Sequence, residues 1–540
     1  MFGKIKYTLF VLGLLSLAQC ANMVTPTGGA KDITPPMVIE AVPANQSTRF
    51  EGKKIELTFD EFITLENANQ NVLFSPPLKE KPDIKLSNKT VVIKLKETLL
   101  PNTTYTIHFG NAIKDFHEGN LFKDYVYSFS TGETLDTLSI AGKVVDAESK
   151  KPVEDLLVGL YSDDGDSLFF RPLQRQPDYL SKTDKEGRFA IHGLPERSFL
   201  VFALKDMNSN LFYDMPNETV AFLDTLVTTK PDTIVTASSE LTLYAFTEKD
   251  TTQMLLEKKL VEEGLLRFVF RQPAEEVSIE TPDFLPDTFQ MARVWSNTHD
   301  TLWWYFTPKV LDSLQINIQY DTIINDSTRY SLRYREVQQR GRTSTKALKV
   351  SNNLKNNLLM PEEDFLLRFT EPLIDDTIRF QDMVFEKADL YGMEYRWAMA
   401  VDDTTSYSVT LSDSVFFSIR GRTNDSIHYT FKRASDKDMG NIYITVVPPA
   451  NTQLVIQLKN SRGTVVDTCI IDQQKRVAFT RLLPEKYKLS TIIDKDRNGR
   501  WSTGNYHRRF LPETVVDYKD ELDVKPGWDI DLEEEWEIKL

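Results

Sequence analysis

The sequence predicts an all-β protein built from tandem β-sandwiches in an elongated multi-domain chain, and three observations support this class. Hydrophobicity alternates with a period of two in segments such as KKIELTFDEF (53–62) and TQLVIQLKN (452–460), which is typical of half-buried strands. Turn residues separate these short segments, as they do in sandwich folds. A length of 540 residues exceeds what one hydrophobic core can serve, so several domains are expected.

An internal repeat predicts the order of the domains. IELTFDEFI (55–63) resembles FLLRFTEPL (365–373), and FAIHGLPERSFLVFALKDMNSN (189–210) resembles FTRLLPEKYKLSTIIDKDRNG (479–499), where an LPE turn precedes an Asp-rich loop. Two modules, named A and B, therefore occur twice in the order A-B-X-A-B, in which X is an unrepeated segment. Within X, residues 251–266 have helical spacing and predict a linker helix.

Both modules contain segments with a family resemblance. Module A contains TPPMVIEAVPAN (34–45), LLPNTTYTIHF (99–109) and YVYSFSTG (125–132), which resemble the bacterial Ig-like domain family. Module B contains IAGKVVDAESKKPVEDLLVGLY (140–161) and TDKEGRFAIHGL (183–194), which resemble the transthyretin-like regulatory domain of carboxypeptidases. That domain is a scaffold and not the zinc peptidase itself, so the resemblance implies a β-sandwich without catalysis.

The N-terminus predicts export and lipid anchoring. Lys4 and Lys6 precede an apolar stretch, residues 7–17, that is too short for a permanent membrane span. The run ending at Cys20 resembles the bacterial lipobox, in which the cysteine is diacylated, although Gln19 replaces the usual small residue. Two acyl chains give stable anchoring, and the Thr, Pro and Gly tract that follows suits a flexible tether. An ordinary signal peptide with a coincidental cysteine is the alternative.

A lipid signal, an Ig-like module and a transthyretin-like module together resemble outer-membrane lipoproteins of the Bacteroidota. The expected domains are a lipoprotein signal peptide (1–19), a lipidated linker (20–35), a bacterial Ig-like domain (36–132), a transthyretin-like sandwich (136–245), an unassigned β-rich segment (246–345), a degenerate Ig-like repeat (346–441) and a second transthyretin-like sandwich (442–540).

Charge and motif content argue against several function classes. A net charge of -15 disfavours nucleic acid and anionic membrane surfaces as partners, because both need basic patches. The six histidines form no short-range pair of metal ligands, and no G-x-S-x-G, phosphate-loop or C-x-x-C motif occurs. His108 and His428 occupy equivalent places in the two A modules, where packed or surface histidines are expected. We therefore expect no enzyme activity.

Each B module has an Asp-rich loop that resembles the opening of a calcium loop, in which oxygen ligands alternate. The candidate ligands are Asp206, Asn208, Asn210 and Asp214 in the first loop and Asp494, Asp496 and Asn498 in the second. Asn217 and Asn505 stand where a bidentate Glu is required, so Ca²⁺ affinity of roughly 10⁻⁴ to 10⁻³ M is the most we expect. Asx-turns that bind no metal are the alternative.

The segment TLWWYFTPK is the strongest aromatic feature. Trp303 and Tyr305 fall on one face of the predicted strand, and Trp304 and Phe306 fall on the other. One face must meet a core. The second either covers a neighbouring domain or binds a sugar or protein ligand, with Trp303, Trp304 and Tyr305 as the candidate residues.

Thirteen Asp-Ser or Asp-Thr dipeptides precede Ala, Ile, Leu, Val, Met or Thr, which exceeds the two or three expected from roughly average composition. The excess resembles the O-glycosylation sequon of exported Bacteroidota proteins. The alternative is structural, because Asp caps a turn and Thr suits the start of a strand.

These observations predict a non-enzymatic lipoprotein, tethered to the outer membrane through Cys20, that serves as a scaffold or accessory subunit of cell-envelope complexes. The expected partners are envelope proteins such as outer-membrane β-barrels, and Ca²⁺ is the one cofactor considered. A surface glycan-binding protein is the alternative. The sequence leaves the leaflet open: residues 21–25 lack the acidic run of a surface-export signal, whereas dense sequons suit the surface.

Overall fold

A computed structural model describes residues 32–123, 125–163, 168–230, 241–274, 277–320, 324–333, 347–397 and 406–539. Regular structure in these ranges consists almost entirely of strands, which confirms the predicted all-β class with several sheets. The chain divides into two compact units, residues 1–146 with 150–245 and residues 147–149 with 246–540. Among the described residues, no helix is long and apolar enough to cross a bilayer.

The first A module contains nine strands. They are β1 (Val38–Val42), β2 (Lys54–Phe59), β3 (Ile63–Leu65), β4 (Leu73–Ser75), β5 (Asp83–Ser87), β6 (Thr90–Lys94), β7 (Thr104–His108), β8 (Ile113–Asp115) and β9 (Val126–Ser130), with a short helix α1 (Ala68–Asn71). The sheets have the orders β1-β2-β6-β5 and β4-β7-β9, and β3 pairs with β8. The period-two pattern explains the core, because Ile55, Leu57 and Phe59 are fully buried.

The first B module follows in the same unit. Its elements are β10 (Leu138–Asp146), β11 (Leu157–Ser162), a 3₁₀ turn (Leu168–Phe170), α2 (Arg171–Gln174), β12 (Tyr179–Lys182), β13 (Arg188–Leu194), β14 (Ser198–Leu204), β15 (Thr219–Phe222), β16 (Val227–Thr228) and β17 (Leu241–Thr247). The strand order is β12-β11-β14-β15-β17-β10-β13, with β16 beside β14. Val158, Leu160 and Val201 belong to the buried core.

Segment X forms two sheets. Its strands are β18 (Leu255–Glu262), β19 (Leu265–Phe270), β20 (Ser278–Glu280), β21 (Met291–Trp295), β22 (Thr301–Phe306), β23 (Ser313–Tyr320) and β24 (Ile324–Ser331). The orders are β18-β19-β22-β21 and β20-β23-β24. Phe268, Trp304 and Ile316 are fully buried in one cluster, so X has a hydrophobic core of its own.

The predicted linker helix at 251–266 is wrong. Strand β18 pairs with β19 in an antiparallel hairpin, and Gly264, with φ +78°, lies in the turn between them. Register shifts at Leu255/Glu257 and Leu260/Glu262 interrupt the alternation of β18. These irregularities interrupt the period-two alternation of apolar residues along β18, and the remaining apolar spacing resembles that of a helix.

Eight strands are described in the second A module. They are β25 (Val350–Asn352), β26 (Leu358–Leu359), β27 (Phe365–Phe369), β28 (Thr377–Phe380), β29 (Met383–Lys387), β30 (Glu394–Trp397), β31 (Ser406–Leu411) and β32 (Ile427–Arg433). The sheet orders are β25-β27-β30-β29-β28 and β26-β32-β31. Phe365, Leu367 and Phe369 are buried on β27 as Ile55, Leu57 and Phe59 are on β2.

The second B module repeats the strand order of the first. After a 3₁₀ turn (Asp436–Asp438) its strands are β33 (Gly440–Val447), β34 (Gln453–Lys459), β35 (Val465–Ile471), β36 (Lys475–Leu482), β37 (Lys486–Asp494), β38 (Val515–Asp517), β39 (Leu522–Asp523) and β40 (Asp529–Glu537). The orders are β36-β33-β40 and β35-β34-β37-β38, with β39 beside β37. As β10 does with β17, β33 pairs in parallel with β40.

Inside the first unit, modules A and B meet through strands β4 and β12. The hydroxyl Oγ of Ser75 accepts a hydrogen bond of 3.0 Å from the backbone N–H of Leu180, and both residues are buried. The rings of His108 and His192 stack nearby in this unit, with centroids 6.3 Å apart. Burial, and secondly the charge of His192, lowers the pKa of His108 to about 4. Both modules therefore share a closed joint in which His108 is neutral at pH 7.

Inside the second unit, segment X and the second A module are joined by buried charges. The Arg420 guanidinium, whose side chain is 3% exposed, lies 3.0 Å from a Glu371 carboxylate oxygen and 2.9 Å from one of Glu262. Its Nε also donates to the Glu263 carbonyl oxygen at 2.8 Å. Arg422 donates to the same two carboxylates at 2.7 and 2.8 Å. Two cations thus balance two anions across this joint.

We expect Arg420→Met to lower the free energy of unfolding of this unit by about 3 to 5 kcal/mol, because it leaves two carboxylates, one of them buried, with Arg422 as their single cation. The matched control is Arg333→Met, which breaks the exposed Arg333–Asp312 pair and should cost less than about 1 kcal/mol. Denaturant unfolding of both variants measures the difference. Equal, small losses would show that the Arg420 network adds nothing to this joint.

Candidate functional site

The second Asp-rich loop begins where β37 ends. Asp494, the last residue of the strand, is 1% exposed. Its two carboxylate oxygens accept hydrogen bonds from the backbone N–H groups of Asn498 at 3.1 Å and Gly499 at 2.9 Å. Gly499 has φ +75°, which glycine adopts without strain. The Asp and Gly spacing in DKDRNG therefore produces a tight turn around one buried carboxylate.

Glu513 completes this loop from a distant position. It is 4% exposed, and its oxygens accept the N–H groups of Lys495 at 2.6 Å and Ser502 at 2.9 Å. Carboxylate oxygens of Asp494, Asp496 and Glu513 all lie within 4.8 Å of one another. The loop thus brings together two of the three predicted ligands, Asp494 and Asp496, and adds a third acid that the sequence analysis missed.

The first Asp-rich loop has the same plan with fewer charges at its centre. Asp206 accepts the N–H groups of Ser209 and Leu211 at 2.7 and 2.8 Å. Glu218, which is fully buried, accepts those of Met207 and Asp214 at 3.1 and 3.2 Å. Glu218 is therefore the counterpart of Glu513.

Two amide side chains close the first loop. The amide groups of Asn208 and Asn210 donate to Asp214 at 3.0 and 2.7 Å. The Asn210 Oδ1 atom accepts the Phe212 N–H at 2.8 Å. Asn208 stands where Asp496 stands in the second loop, so the first loop has one carboxylate fewer beside its buried acids, which favours the metal-free turn here over the calcium interpretation.

The pKa values of two acids in the second loop shift in opposite directions. A hydrogen bond from Ser502, together with others from Asn498, lowers the pKa of Asp496. Burial raises the pKa of Glu513 against the opposing effect of its backbone N–H partners. A hard divalent cation bound by Asp494, Asp496 and Glu513 would favour the charged form of each group. The second loop can hold Ca²⁺ through carboxylate oxygens, and the role of such an ion would be structural.

The aromatic strand is β22. Trp304 is fully buried and Tyr305 is 7% exposed, whereas Trp303 is half-buried. The guanidinium of Arg293 lies 4.3 Å from the Trp304 ring centroid, and the Tyr305 hydroxyl donates to the Thr370 carbonyl oxygen at 3.2 Å. The outer face of β22 therefore covers a neighbouring domain, and Trp303 is the one candidate ring of the three with an exposed part.

The equivalent histidines take different environments. His108 is held in the joint described above, and its low pKa leaves it neutral at pH 7. His428 is exposed on β32, where its Nδ1 lies 2.9 Å from the Thr410 hydroxyl. Neither residue lies beside a carboxylate that could orient it as a catalytic base in the described structure.

Most of the described Asp-Ser and Asp-Thr dipeptides fall at strand starts or between strands, whereas Asp326-Ser327 lies within β24. Thr301, Ser313 and Thr377 are the first residues of β22, β23 and β28, as the structural alternative requires. Exposed residues among the described dipeptides are Thr137, Thr225, Thr251, Ser327, Thr377, Ser414 and Ser426. The structural alternative therefore explains the dipeptides that lie at strand starts. The exposed Ser and Thr residues are accessible to a modifying enzyme. The predicted lipidation site, Cys20, lies outside the described residues.

We expect millimolar Ca²⁺, matching an affinity of roughly 10⁻⁴ to 10⁻³ M, to raise the Tm of the wild-type protein, because the ligands converge only in the folded chain. Asp496→Asn should abolish that shift, since it removes one carboxylate from an exposed position. Asp214→Asn, in the first loop, should keep it. A thermal melting curve that responds to neither Ca²⁺ nor chelator would show that both loops are turns without metal.

Comparison with known proteins gives weak overall likenesses. No curated protein sequence matches the chain. The Bacillus anthracis TIE protein is 12% identical, with 95% of this chain and 76% of that chain covered and a TM-score of 0.16. BcpA, the major pilin subunit of Bacillus cereus, is 10% identical over 74% and 98%, with a TM-score of 0.15. The S-layer protein rSbsC is 12% identical over 91% and 68%, with a TM-score of 0.14. Superpositions this poor carry no argument about fold or function.

A family model gives a firmer result for the first A module. Residues 32–131 match the model of the bacterial Ig-like domain. The match contains strands β1 to β9 and agrees with the expected domain at 36–132. The first module of this chain is a bacterial Ig-like domain.

Proposed function

We propose that this chain is a non-enzymatic, lipid-anchored outer-membrane lipoprotein that acts as a scaffold or accessory subunit of cell-envelope protein complexes. The observation that carries the proposal is the pair of joints, Ser75 with Leu180 and Arg420 with Glu262, each of which fixes two β domains to one another. Domains joined in this way present side chains at fixed separations, which suits a protein that positions partners.

The chemistry of the described residues supports a binding role over catalysis. The one group of three acidic ligands found there, Asp494, Asp496 and Glu513, accepts hydrogen bonds from the backbone of its own loop and from the Ser502 hydroxyl, and no histidine is among its hydrogen-bond partners. A general base near neutral pH needs a pKa close to 7, which His108 lacks. Ig-like domains serve in many proteins as structural units, and function has to be argued from the site.

The N-terminal sequence supports the lipid anchor. Lys4, Lys6 and the apolar residues 7–17 form an export signal, and Cys20 is placed to receive acyl chains. The described structure begins at residue 32, so about a dozen residues would connect the lipid to the Ig-like domain. At up to about 3.5 Å per extended residue, such a tether reaches several nanometres from the membrane. Envelope proteins such as outer-membrane β-barrels are the partners within that reach.

A surface glycan-binding protein is the second candidate function. Stacking on sugar rings requires an exposed aromatic face, and Trp303 is the remaining candidate on β22 because Trp304 and Tyr305 are buried. The exposed Asp-Thr and Asp-Ser dipeptides are proposed as carriers of covalent glycan and not as a glycan-binding site.

We expect Cys20→Ala to move the protein from the membrane fraction to the soluble fraction while leaving its β-sheet circular dichroism unchanged. The physical reason is that removal of the acylation site removes both chains, each CH₂ of which contributes about 0.8 kcal/mol to membrane binding. Fractionation followed by immunoblotting measures the change. Membrane partitioning equal to that of the wild type would contradict the lipoprotein assignment.

Purification in mild detergent tests the scaffold role against glycan binding. We expect the wild-type protein to co-purify with outer-membrane β-barrel proteins identified by mass spectrometry, and Cys20→Ala to lose most of that recovery. Trp303→Ala is the matched control, because it removes the candidate sugar platform and should leave the co-purified proteins unchanged. Absence of β-barrel proteins, together with retention on polysaccharide that Trp303→Ala abolishes, would favour the glycan-binding function.

A further inference from the structure

Strand β35 of the second B module is an open sheet edge. It lies at the end of the order β35-β34-β37-β38, and no described strand pairs with its outer side. Val465, Val466 and Ile470 are 41%, 45% and 50% exposed. A seven-residue edge with exposed β-branched residues and no Pro or Lys is available for pairing with another chain, and Asp467 is the one charged residue within it.

The equivalent edge in the first B module is covered. Matching the pairs Leu157–Leu204 and Val455–Ile492 makes Leu180 on β12 the counterpart of Thr468 on β35. Leu180 is 2% exposed, and its N–H donates to Ser75 of the Ig-like domain at 3.0 Å. The Thr468 N–H instead donates to the side chain of its neighbour Asp467 at 2.7 Å. The same edge therefore docks a β domain in one repeat and is open in the other.

We propose that β35 pairs with β35 of a second copy of this chain, antiparallel and centred on Thr468. That register places Val466 of each copy opposite Ile470 of the other, on the same outer face as Thr468. Cross-strand pairs of β-branched residues are the favourable unit of such a sheet. In this two-fold symmetric dimer, Val466 and Ile470 of both copies, four exposed apolar side chains in all, form two cross-strand pairs.

The charges at the two ends of β35 fit the same register. Arg462 and Asp472 are exposed, lie just outside opposite ends of the strand, and have no ion pair among those found in the described residues. Antiparallel pairing brings the Arg462 end of one copy beside the Asp472 end of the other, twice by symmetry. Inside the strand Asp467 faces Cys469, so no like charges stand opposite one another. A second copy therefore offers β35 opposite charges at the ends of the strand and β-branched partners on its outer face.

The size of this contact sets the expected strength. One seven-residue strand pair is smaller than the roughly 1,200 Å² that stable interfaces bury, so a weak and reversible dimer is expected in solution. Two copies held in one membrane by lipid would meet at a higher effective concentration. The pairing itself does not depend on the lipid anchor, so it is tested separately from the proposed function.

Disulfide trapping tests the register. The full chain carrying Cys20→Ala has Cys469 as its one cysteine. Adding Cys469→Ser and Thr468→Cys places the new thiols opposite each other across the axis, at Cα separations of about 4.5 to 5.5 Å that a disulfide can bridge. Mild oxidation should then give a covalent dimer of most of the protein. The matched control is Cys20→Ala alone, in which Cys469 faces Asp467 and should remain monomeric on non-reducing gels.

Sedimentation equilibrium tests the interface without cross-linking. The Cys20→Ala chain should show a reversible dimer at protein concentrations up to about 1 mM, and Val466→Lys with Ile470→Lys should abolish it. Leu390→Lys, at a site that is 90% exposed and far along the chain, should leave it intact. A monomer at every concentration, or a dimer that survives the two β35 substitutions, overturns the proposal. Cross-linking through native Cys469 instead of residue 468 overturns the register.

Discussion

The edges and the apolar faces of the sheets have to be covered, and this requirement determines how the domains within each unit are joined. A chain with so many short strands has many edges, and an exposed edge invites pairing with another chain. The first unit closes the β12 edge with Ser75 of the adjacent domain. The second unit covers the outer face of β22 with a neighbouring domain through Tyr305, and Arg420 joins the same domain to Glu262 of β18. The contacts that join the domains are therefore also the contacts that cover a sheet edge or a sheet face.

The two joints use different chemistry for one purpose. The joint in the first unit combines a neutral hydrogen bond at Leu180 with stacked rings of His108 and His192. The joint in the second unit buries Arg420 between two carboxylates. Buried ion pairs add little net stability compared with apolar residues of the same volume, because desolvation opposes their attraction. These charged hydrogen bonds form only at certain distances and angles, however. The Arg420 network therefore fixes the orientation of its two domains more than it adds to their stability.

Sequence reasoning recovered the features that depend on local periodicity. Ile55, Leu57 and Phe59 alternate cleanly in a segment that was correctly predicted as a strand, and all three are buried in the core. The strand β18 was missed because its register shifts break that alternation. Glu513 was missed because a calcium loop was sought at a fixed spacing, and seven more residues separate it from Asp494 than separate Glu218 from Asp206. The signal that could have found it is the repeat itself, since Glu218 occupies the equivalent buried position.

The proposed role, holding envelope proteins together, can be tested in intact cells by lysine cross-linking followed by mass spectrometry. The exposed surface carries many lysines, including Lys309 and Lys488, whose side chains are 81% and 69% exposed. If the protein is a scaffold, we expect cross-links from these lysines to integral outer-membrane proteins. Cross-links confined to the chain itself, at a depth where other envelope complexes are detected, would contradict it.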